Sequence, residues 1–459
     1  LEINNVIGNK MEIANLHFYL GNLSFYMGDY TTAFEFFQKS LNFWYETGSI
    51  KGITLCHNGL GLIAIAQGDY SVASGHFEES LSFNLDIGFK HLTAVILNNL
   101  GSIEHERGNY LKAYEYFDES LAKRRETGDK RGIALLLCNL ASMSFELGND
   151  DTALEFYKES LAISREIGDK SVQILSLNNL GFVFYEKGDF LKAAEFFEVG
   201  LSTGKEIGEK PAISHSLLGL GDISMFYGNY MKALEYYESS LDISREIGDK
   251  NVIAVSLISL AKLSFAEGDY SKALEFFEQG LKINRDLGDK PGIASSLTGI
   301  SAVLIEKGEL NKALIFLDES ETSSRDPGNK KQNSLNHYYR GKVYMRKEKY
   351  DVATKHFTES LILRKELGNT IECALGILAL SMIRIISRDH GQGLKLLSFA
   401  KNYFESNRLA IYKTEQESIE KYLSELKEKM SEEDFSGYFE YGKTMTLKEA
   451  MELAVKNER

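Results

Sequence analysis

One short segment near the end of the sequence has the residues of a phosphate-binding loop. Residues 437–444, GYFEYGKT, match the pattern in which a glycine-rich turn, a lysine and a hydroxyl residue bind a nucleotide and its Mg²⁺. A working loop follows a buried strand and uses small residues, so that its backbone N–H groups can surround a phosphate. Here residues 427–434 are mostly charged, and the loop itself would hold three aromatic side chains. We therefore interpret the match as structural. The alternative, that this fragment is itself an ATPase, would depend on this match alone.

Histidine also recurs, at a spacing that argues against a metal site. His17, His57 and His337 are separated by multiples of 40 residues, and leucine takes the corresponding position at 97, 137, 177, 217, 257 and 297. A position that is usually leucine belongs to a core, so we predict packed imidazoles with local hydrogen bonds. His105-Glu106 lacks the second histidine of a zinc-protease helix. The sequence thus predicts no catalytic residue, no cofactor and no metal ligand.

Composition and charge exclude several classes of protein. The chain has 459 residues, with 52 Lys and Arg against 66 Asp and Glu, a net charge of −14 at pH 7. This is the wrong sign for direct binding to nucleic acid. The three cysteines, Cys56, Cys138 and Cys373, are far apart and odd in number, which favours a reducing cytoplasm over a disulfide framework. Residues 373–383 form the longest apolar stretch, too short for a bilayer, and residues 1–10 do not resemble a signal peptide, so we expect no membrane partner.

The elements that would position any functional residue follow a 40-residue period. Glycine recurs every 40 residues on two ladders that are about 20 residues apart, and alanine forms a third ladder between them. The first glycine ladder is at 8, 48, 88, 128, 168, 208, 248, 288, 328 and 368. The second is at 28, 68, 108, 148, 188, 228, 268 and 308, with Glu348 and Arg388 in the next two positions. Each unit therefore has a fixed length and two breaks.

Between the breaks, apolar residues follow a helical period, so each unit is predicted to be a pair of helices. Glycine suits a helix end because it adopts the left-handed conformation at little cost. The Asp or Asn that follows the second ladder can cap the next helix. Helix pairs cannot bury their apolar faces alone and must stack. Glycines such as Gly21, Gly61 and Gly101 should let helices approach closely, with Phe37, Phe77 and Phe117 filling the gaps.

These residues resemble the tetratricopeptide repeat (TPR) family in a long, 40-residue form. The motif NNLG at 178–181, followed by GDFLKAAEFF at 188–197, carries the resemblance. It implies an all-α fold, a right-handed α-solenoid of about ten helix pairs over residues 11–407, in which the first helix of each pair lines a concave wall. Residues 1–10 would be the remnant of a preceding repeat helix, and 408–459 a helical capping tail. Glu348 and Arg388 replace glycine in pairs nine and ten, which we expect to be distorted.

The tail is similar to the segment that closes the TPR half of many predicted signalling ATPases of the STAND type. The similarity lies in LKLLSFA at 394–400, YLSEL at 422–426 and EYGKTMTLKEA at 440–450. In that family a repeat array senses a ligand or partner downstream of a nucleotide-hydrolysing switch. The resemblance therefore implies that this chain is the C-terminal sensor part of a larger regulator, and that residues 437–444 connect helices.

The concave wall is the place where the resemblance puts a binding site. Asparagine can donate to and accept from an extended peptide backbone, and the wall should present Asn58, Asn98, Asn99, Asn139, Asn178 and Asn179. A mostly apolar stripe one turn further on includes His105, Phe145 and Tyr185. The alternative is that these amides only connect neighbouring helices and that the stripe is interhelix core. A lysine ladder from Lys90 to Lys330 beside acidic residues indicates a charge-balanced, solvated edge.

We therefore expect a non-enzymatic recognition module that holds a protein or peptide in its concave groove. Changing both Asn139 and Asn179 to Ala should abolish binding. The alternative is a structural scaffold that self-associates through its repeat ends.

Overall fold

The computed structural model describes residues 10–323 and 330–456, and these form 23 helices and no strand. The chain divides into two compact units, Leu1–Ser176 and Leu177–Arg459. The predicted remnant at 1–10 lies, apart from Lys10, outside the described residues.

The first unit contains four helix pairs and the start of a fifth. Within each pair the two helices pack along each other and the pairs follow one another in order. The helices are α1 (Lys10–Tyr26), α2 (Tyr30–Thr47), α3 (Ile50–Ala66), α4 (Tyr70–Ile87), α5 (Lys90–Glu106), α6 (Tyr110–Thr127), α7 (Lys130–Glu146) and α8 (Asp150–Ile167); α9 (Lys170–Glu186) crosses the boundary between the units.

The second unit continues the pairs and ends in three further helices. Its paired helices are α10 (Phe190–Ile207), α11 (Lys210–Phe226), α12 (Tyr230–Ile247), α13 (Lys250–Glu267), α14 (Tyr270–Leu287), α15 (Lys290–Glu306), α16 (Leu310–Ser323), α17 (Lys330–Arg346), α18 (Tyr350–Glu366), α19 (Thr370–Ile386) and α20 (His390–Ser406). The tail consists of α21 (Lys413–Lys429), α22 (Glu432–Thr444) and α23 (Leu447–Val455). The predicted all-α fold of repeated helix pairs is confirmed.

The glycine ladders end the helices in the predicted way. Every described ladder glycine has a positive φ, for example 69° at Gly48 and 81° at Gly308; Gly8 and Gly328 lie outside the described residues. Asp29 and Asp69 cap the following helices by accepting from Thr32 N and Val72 N.

The expected distortion of pairs nine and ten is not found. Glu348 and Arg388 take the left-handed conformation themselves, with φ of 58° and 68°. Helices α17 to α20 have 17 residues each, and they pair as elsewhere. The fold thus accepts the strain of a left-handed side chain instead of changing the repeat.

The close approach of helices at glycine is confirmed. A Cβ added at Gly101 would lie 2.7 Å from the ring of Phe117, and at Gly61 it would lie 2.8 Å from Phe77. Buried serines at a 40-residue spacing, which were not predicted, also join the two helices of most pairs. Ser80 Oγ donates to Thr54 O over 2.9 Å and Ser120 Oγ to Ala94 O over 2.6 Å, and both serines are fully buried. In these pairs one buried hydroxyl fixes the register, and glycine takes the place of the serine at Gly200 and Gly280.

The P-loop-like residues lie inside α22 and at its end, not in a loop after a strand. Gly442 packs against α20, where an added Cβ would lie 2.3 Å from Lys395 O. This packing accounts for the second glycine of the motif. The expectation that residues 437–444 connect two helices is wrong, because they form the second half of α22. Among the described residues, no helix is both long and apolar enough to cross a lipid bilayer.

Candidate functional site

In the first unit, the predicted asparagines form hydrogen-bonded pairs between successive first helices. Asn99 Nδ2 donates to Asn58 Oδ1, joining α5 to α3, and Asn139 Nδ2 donates to Asn98 Oδ1, joining α7 to α5; both distances are 3.2 Å. All four side chains are half-buried. Each pair uses one N–H donor and one carbonyl acceptor, and the other N–H and C=O groups of the same four side chains are not used in these two bonds. The amides thus connect neighbouring helices, as the alternative interpretation expects.

In the second unit, Asn178 is more fully engaged. Its Nδ2 donates to Ala212 O over 3.1 Å, and its Oδ1 accepts from Ser216 Oγ over 2.7 Å. Both partners are on α11, so Asn178 joins α9 to the next first helix. Asn179, the neighbouring residue on α9, is half-buried.

The predicted stripe residues are placed differently from one another. His105 is exposed, and a hydrogen bond from its ring to Glu106 raises its pKa. Phe145 is half-buried on α7. Tyr185 lines a cavity inside the second unit, which the sequence analysis did not predict.

This cavity has a volume of about 230 Å³, is lined by the repeats of the second unit and is partly open to solvent. Its wall is built mainly from first helices, with contributions from a helix start and from the segment that leads into the tail. The lining includes Tyr185, Glu186, Phe190, Asp222, Phe226, Lys262, Phe265, Ser295, Thr298, Lys331, Tyr339, Asn369, Thr370, Glu372 and Tyr412. The lining is therefore both aromatic and charged.

Charges of both signs face this cavity. Lys331 Nζ lies 2.7 Å from Glu186 Oε1, and Tyr237 Oη donates to Asp222 Oδ1 over 2.6 Å. Lys262 has no carboxylate within 4.0 Å among the described residues, and its side chain is exposed. Lys331 keeps 51% of its side chain exposed, so solvent reaches the chamber. Lys262 is therefore available to a negatively charged ligand.

The enclosure changes the acidity of these groups. Burial raises the pKa of Asp222, although the positive charge of Lys262 opposes the rise. Burial alone would lower the pKa of Lys331, but the carboxylate of Glu186 holds it above its ordinary value. Burial, with the nearby charge of Asp222, raises the pKa of Tyr185 well above its usual range. The phenol therefore stays neutral and can donate a hydrogen bond.

Part of the cavity wall is formed by the segment between α20 and α21. Ala410 N donates to Phe226 O over 2.7 Å, and the Tyr412 ring meets Phe265 edge to face at 5.7 Å between centroids. Next to this segment, Lys342 of α17 binds Glu415 of α21 over 2.8 Å, and both side chains are largely buried. An ion pair thus holds the start of the tail against the inner side of the repeats.

Two histidine pairs lie elsewhere, one in each unit. His57 Nδ1 is 3.3 Å from His76 Nδ1 and 2.9 Å from Glu79 Oε2. His337 Nδ1 is 3.0 Å from His356 Nδ1 and from Glu359 Oε2. The predicted local hydrogen bonding of His57 and His337 is confirmed, but the second histidine was not predicted. His17 packs among aromatic rings instead, with the Phe43 ring stacked at 6.1 Å.

The charge-balanced edge is confirmed, with an unexpected partner. Several ladder lysines bind glutamates 36 residues later, at the end of the second helix, as in Lys90–Glu126 at 2.7 Å and Lys330–Glu366 at 3.0 Å. The neighbouring aspartates act as helix caps, for example Asp129, whose Oδ1 accepts from Gly132 N.

Comparisons with known proteins agree with this architecture. A family model described as "Tetratricopeptide repeat" matches residues 12–85, 92–166, 132–206 and 212–286, more than half of the chain. A Rap protein complexed with competence and sporulation factor is 15% identical, with a TM-score of 0.58 over 78% of this chain and 99% of that chain. A STAND protein with a tetratricopeptide repeat sensor from Pyrococcus horikoshii is 20% identical, with a TM-score of 0.42 over 71% of this chain and 52% of that chain. No curated protein matches.

Proposed function

Because this chain belongs to the tetratricopeptide repeat family, whose arrays are protein-interaction modules, we propose that it is a non-catalytic recognition module that binds a polypeptide segment. The proposal rests on the cavity of the second unit and on Lys262 in particular. Lys262 lines this partly open cavity and makes no ion pair within 4.0 Å among the described residues, so its charge can also pair with that of a ligand.

The lining indicates the chemistry of the segment. Lys262 can bind a carboxylate, either an acidic side chain or the C-terminus of a chain, and the neutral hydroxyl of Tyr185 can donate to it. Phe190, Phe226 and Phe265 offer an apolar surface for a neighbouring side chain. At about 230 Å³ the cavity is below the roughly 300–1,000 Å³ of sites for drug-sized ligands. We therefore propose that one or two residues of an acidic peptide enter it.

The amide pairs of the first unit are proposed as a second binding surface. Asn99 and Asn139 each spend one donor on a neighbouring amide, which fixes the orientation of Asn58 and Asn98. A pre-oriented amide loses little entropy when it bonds an extended backbone. Phe145 and His105, one turn further on, would contact the side chains of that peptide. The solved Rap structure, whose fold is similar, holds competence and sporulation factor.

A third part of the proposal concerns the larger protein. From the resemblance of the tail to STAND proteins, we propose that this chain is the sensor part of a cytoplasmic signalling ATPase or a similar regulator. The sequence encoded before Leu1 tests this directly. A nucleotide-binding domain there would support the proposal, and its absence would contradict it.

A peptide library displayed on phage tests the binding function. Peptides selected on the whole chain should share an acidic residue or a free C-terminal carboxylate. In calorimetry, Lys262→Ala should weaken their binding at least tenfold, the equivalent of about 1.4 kcal/mol. The matched control is Lys282→Ala, an exposed lysine outside the cavity lining, which should bind normally. Equal binding by Lys262→Ala would contradict the cavity as the site.

Self-association is a second candidate, favoured by the outer surface of α1. Tyr19, Leu23 and Tyr26 are 65%, 57% and 83% exposed and follow a helical spacing. Such a stripe can pair with a second copy of the chain. Light scattering on Leu23→Lys would detect the loss of a dimer, whereas a wild-type chain that is monomeric at all concentrations would remove this candidate.

A further inference from the structure

The two histidine clusters are the same arrangement built twice. His57, His76 and Glu79 are each 280 residues before His337, His356 and Glu359, which is seven repeats. The first histidine of each cluster replaces the usual leucine of the first helix. The second replaces a residue of the second helix that is aromatic at 36, 116, 156, 196, 236, 276 and 316. Both replacements occur together in two repeats, so the second histidine appears only where the first one can meet it.

The geometry of both clusters fits a metal ion. In the first, the Nδ1 atoms are 3.3 Å apart, and they lie 2.9 and 4.0 Å from Glu79 Oε2. In the second, the corresponding distances are 3.0, 3.0 and 3.9 Å. In each cluster the three potential ligand atoms lie within 4.8 Å of one another, close enough for one ion with bonds of roughly 2.0–2.2 Å to contact all three.

We propose that each cluster binds one divalent transition-metal ion, with Zn²⁺ as the representative species. Two imidazole nitrogens and one carboxylate oxygen form a three-ligand set that zinc accepts, and a water or a group from a partner would supply a fourth ligand. The site is open on one side, because Glu79 is 59% exposed while the His57 side chain is only 6% exposed. The chain would thus carry two separate metal sites, one in each unit.

The surroundings of His57 favour coordination through Nδ1. Tyr45 Oη lies 3.2 Å from His57 Nε2. If Nε2–H donates to this hydroxyl, Nδ1 carries no proton and directs its lone pair to the cluster, as for metal-binding histidines whose other nitrogen bonds a neighbour.

The first repeat provides a natural comparison. There His17 is present, but Phe36 and Lys39 take the places of the second histidine and the glutamate. His17 packs against the Phe36 and Phe43 rings, and its Nδ1 is buried without a hydrogen-bond partner. His17 is thus present without the other two ligands, whereas glutamate also occurs at 119, 159 and 319 without either histidine.

The competing explanation is a plain hydrogen bond between two imidazoles, and metal titration separates the two. The whole chain, freed of metal by a chelator, should bind two Zn²⁺ ions in calorimetry and two Co²⁺ ions with the absorption of a nitrogen-ligated site. Replacing His57 by Leu and His76 by Phe gives this repeat the residue types that most other repeats have at these positions, so the variant should fold normally. This variant should bind one ion, as should the variant with His337→Leu and His356→Phe.

The combined four-residue variant should bind none, and His17→Leu should still bind two. No binding by the wild-type chain at micromolar zinc would overturn the proposal, and so would two ions bound by the four-residue variant. Circular dichroism that shows wild-type helix content in each variant excludes unfolding as the cause of a lost ion. None of these results depends on the peptide-binding function proposed above.

Discussion

The ammonium group of Lys331 lies 2.7 Å from a carboxylate oxygen of Glu186, although 145 residues separate the two in the chain. Glu186 ends α9 and Lys331 is near the start of α17, four helix pairs later. Within the second unit, the repeats therefore curve until the inner ends of distant first helices meet around one chamber. Because of this curvature, single residues on separate repeats line one charged cavity.

Changing Lys331 to Met should raise the pKa of Asp222. The positive charge of Lys331 favours the ionised form of that carboxyl across the cavity, so removing it favours the protonated form. A ¹³C NMR titration of the aspartate side chains measures the shift. Lys282→Met serves as the control and should leave the titration unchanged. An unaltered pKa in Lys331→Met would show that solvent screens the cavity completely.

Replacing Asp222 by Asn should stabilise the protein at neutral pH. Burial raises the pKa of Asp222 in the folded state, so its contribution to stability is fully present at low pH and is lost as the pH rises through the folded pKa. Asn keeps an oxygen that accepts from Tyr237. Urea unfolding at about pH 4 and at pH 7 should show an advantage of Asp222→Asn that grows with pH. An advantage that shrinks with pH would contradict the raised pKa.

Adding a methyl group at Gly101 should destabilise the first unit. The new Cβ would lie 2.7 Å from the ring of Phe117, and overpacking of this kind costs about 1–3 kcal/mol. Gly75, an exposed helical glycine with nothing within 4 Å of an added Cβ, is the matched control. Gly75→Ala should stabilise by about 1 kcal/mol, because alanine favours helix. Thermal unfolding distinguishes the two opposite signs.

The regular part of the fold was predictable because its signals are local. A left-handed glycine such as Gly48 ends its own helix, and a buried ring such as Phe117 fills the space left by Gly101 in the same pair. These features repeat every 40 residues, so each copy supports the others. Even the lapses in the ladder did not change the helices, since Glu348 and Arg388 adopt the same backbone conformation as glycine.

The sites were less predictable because they depend on how repeats curve and how helices rotate. The cavity forms because Glu186 and Lys331 lie close together, and the length of a repeat does not predict that distance. The second histidine of each cluster was hidden in the sequence at a position that is usually aromatic, and only the packing of the pair brings His76 to His57. Tyr412 lines the cavity, and it belongs to the segment between α20 and α21, which does not follow the 40-residue repeat.

Replacing Glu348 by the glycine that most other repeats have at this position should stabilise the second unit. A non-glycine residue in the left-handed region costs roughly 1–2 kcal/mol, and the greater freedom of unfolded glycine offsets about half of this gain. We therefore expect Glu348→Gly to add about 0.5–1 kcal/mol in urea unfolding. The reverse change, Gly308→Ala, places a side chain at φ 81° and should destabilise by about 1 kcal/mol. Equal stability of all three chains would contradict strain at these turns.

Replacing Glu415 by Gln should loosen the tail from the repeats. The carboxylate is buried beside Lys342, 2.8 Å away, and Glu306 is the other carboxylate close to that lysine, at 3.4 Å. Breaking one side of a buried pair typically costs 3–5 kcal/mol; because Glu306 remains, we expect about 3 kcal/mol. Hydrogen exchange should show faster exchange at the start of α21. Glu417→Gln, an exposed change on the same helix, should alter stability by less than about 0.5 kcal/mol.

The effect of Glu415→Gln should also depend on pH in a defined direction. Burial alone would raise the pKa of Glu415, but the attraction and hydrogen bond of Lys342 hold it below its usual value. A depressed pKa gives a contribution to stability that is present above the unfolded pKa and lost as the pH falls through the folded pKa. The wild-type chain should therefore exceed Glu415→Gln in stability at pH 7 and lose most of that difference below about pH 4. A difference that stays constant over this range would mean that the glutamate acts through its shape and not its charge.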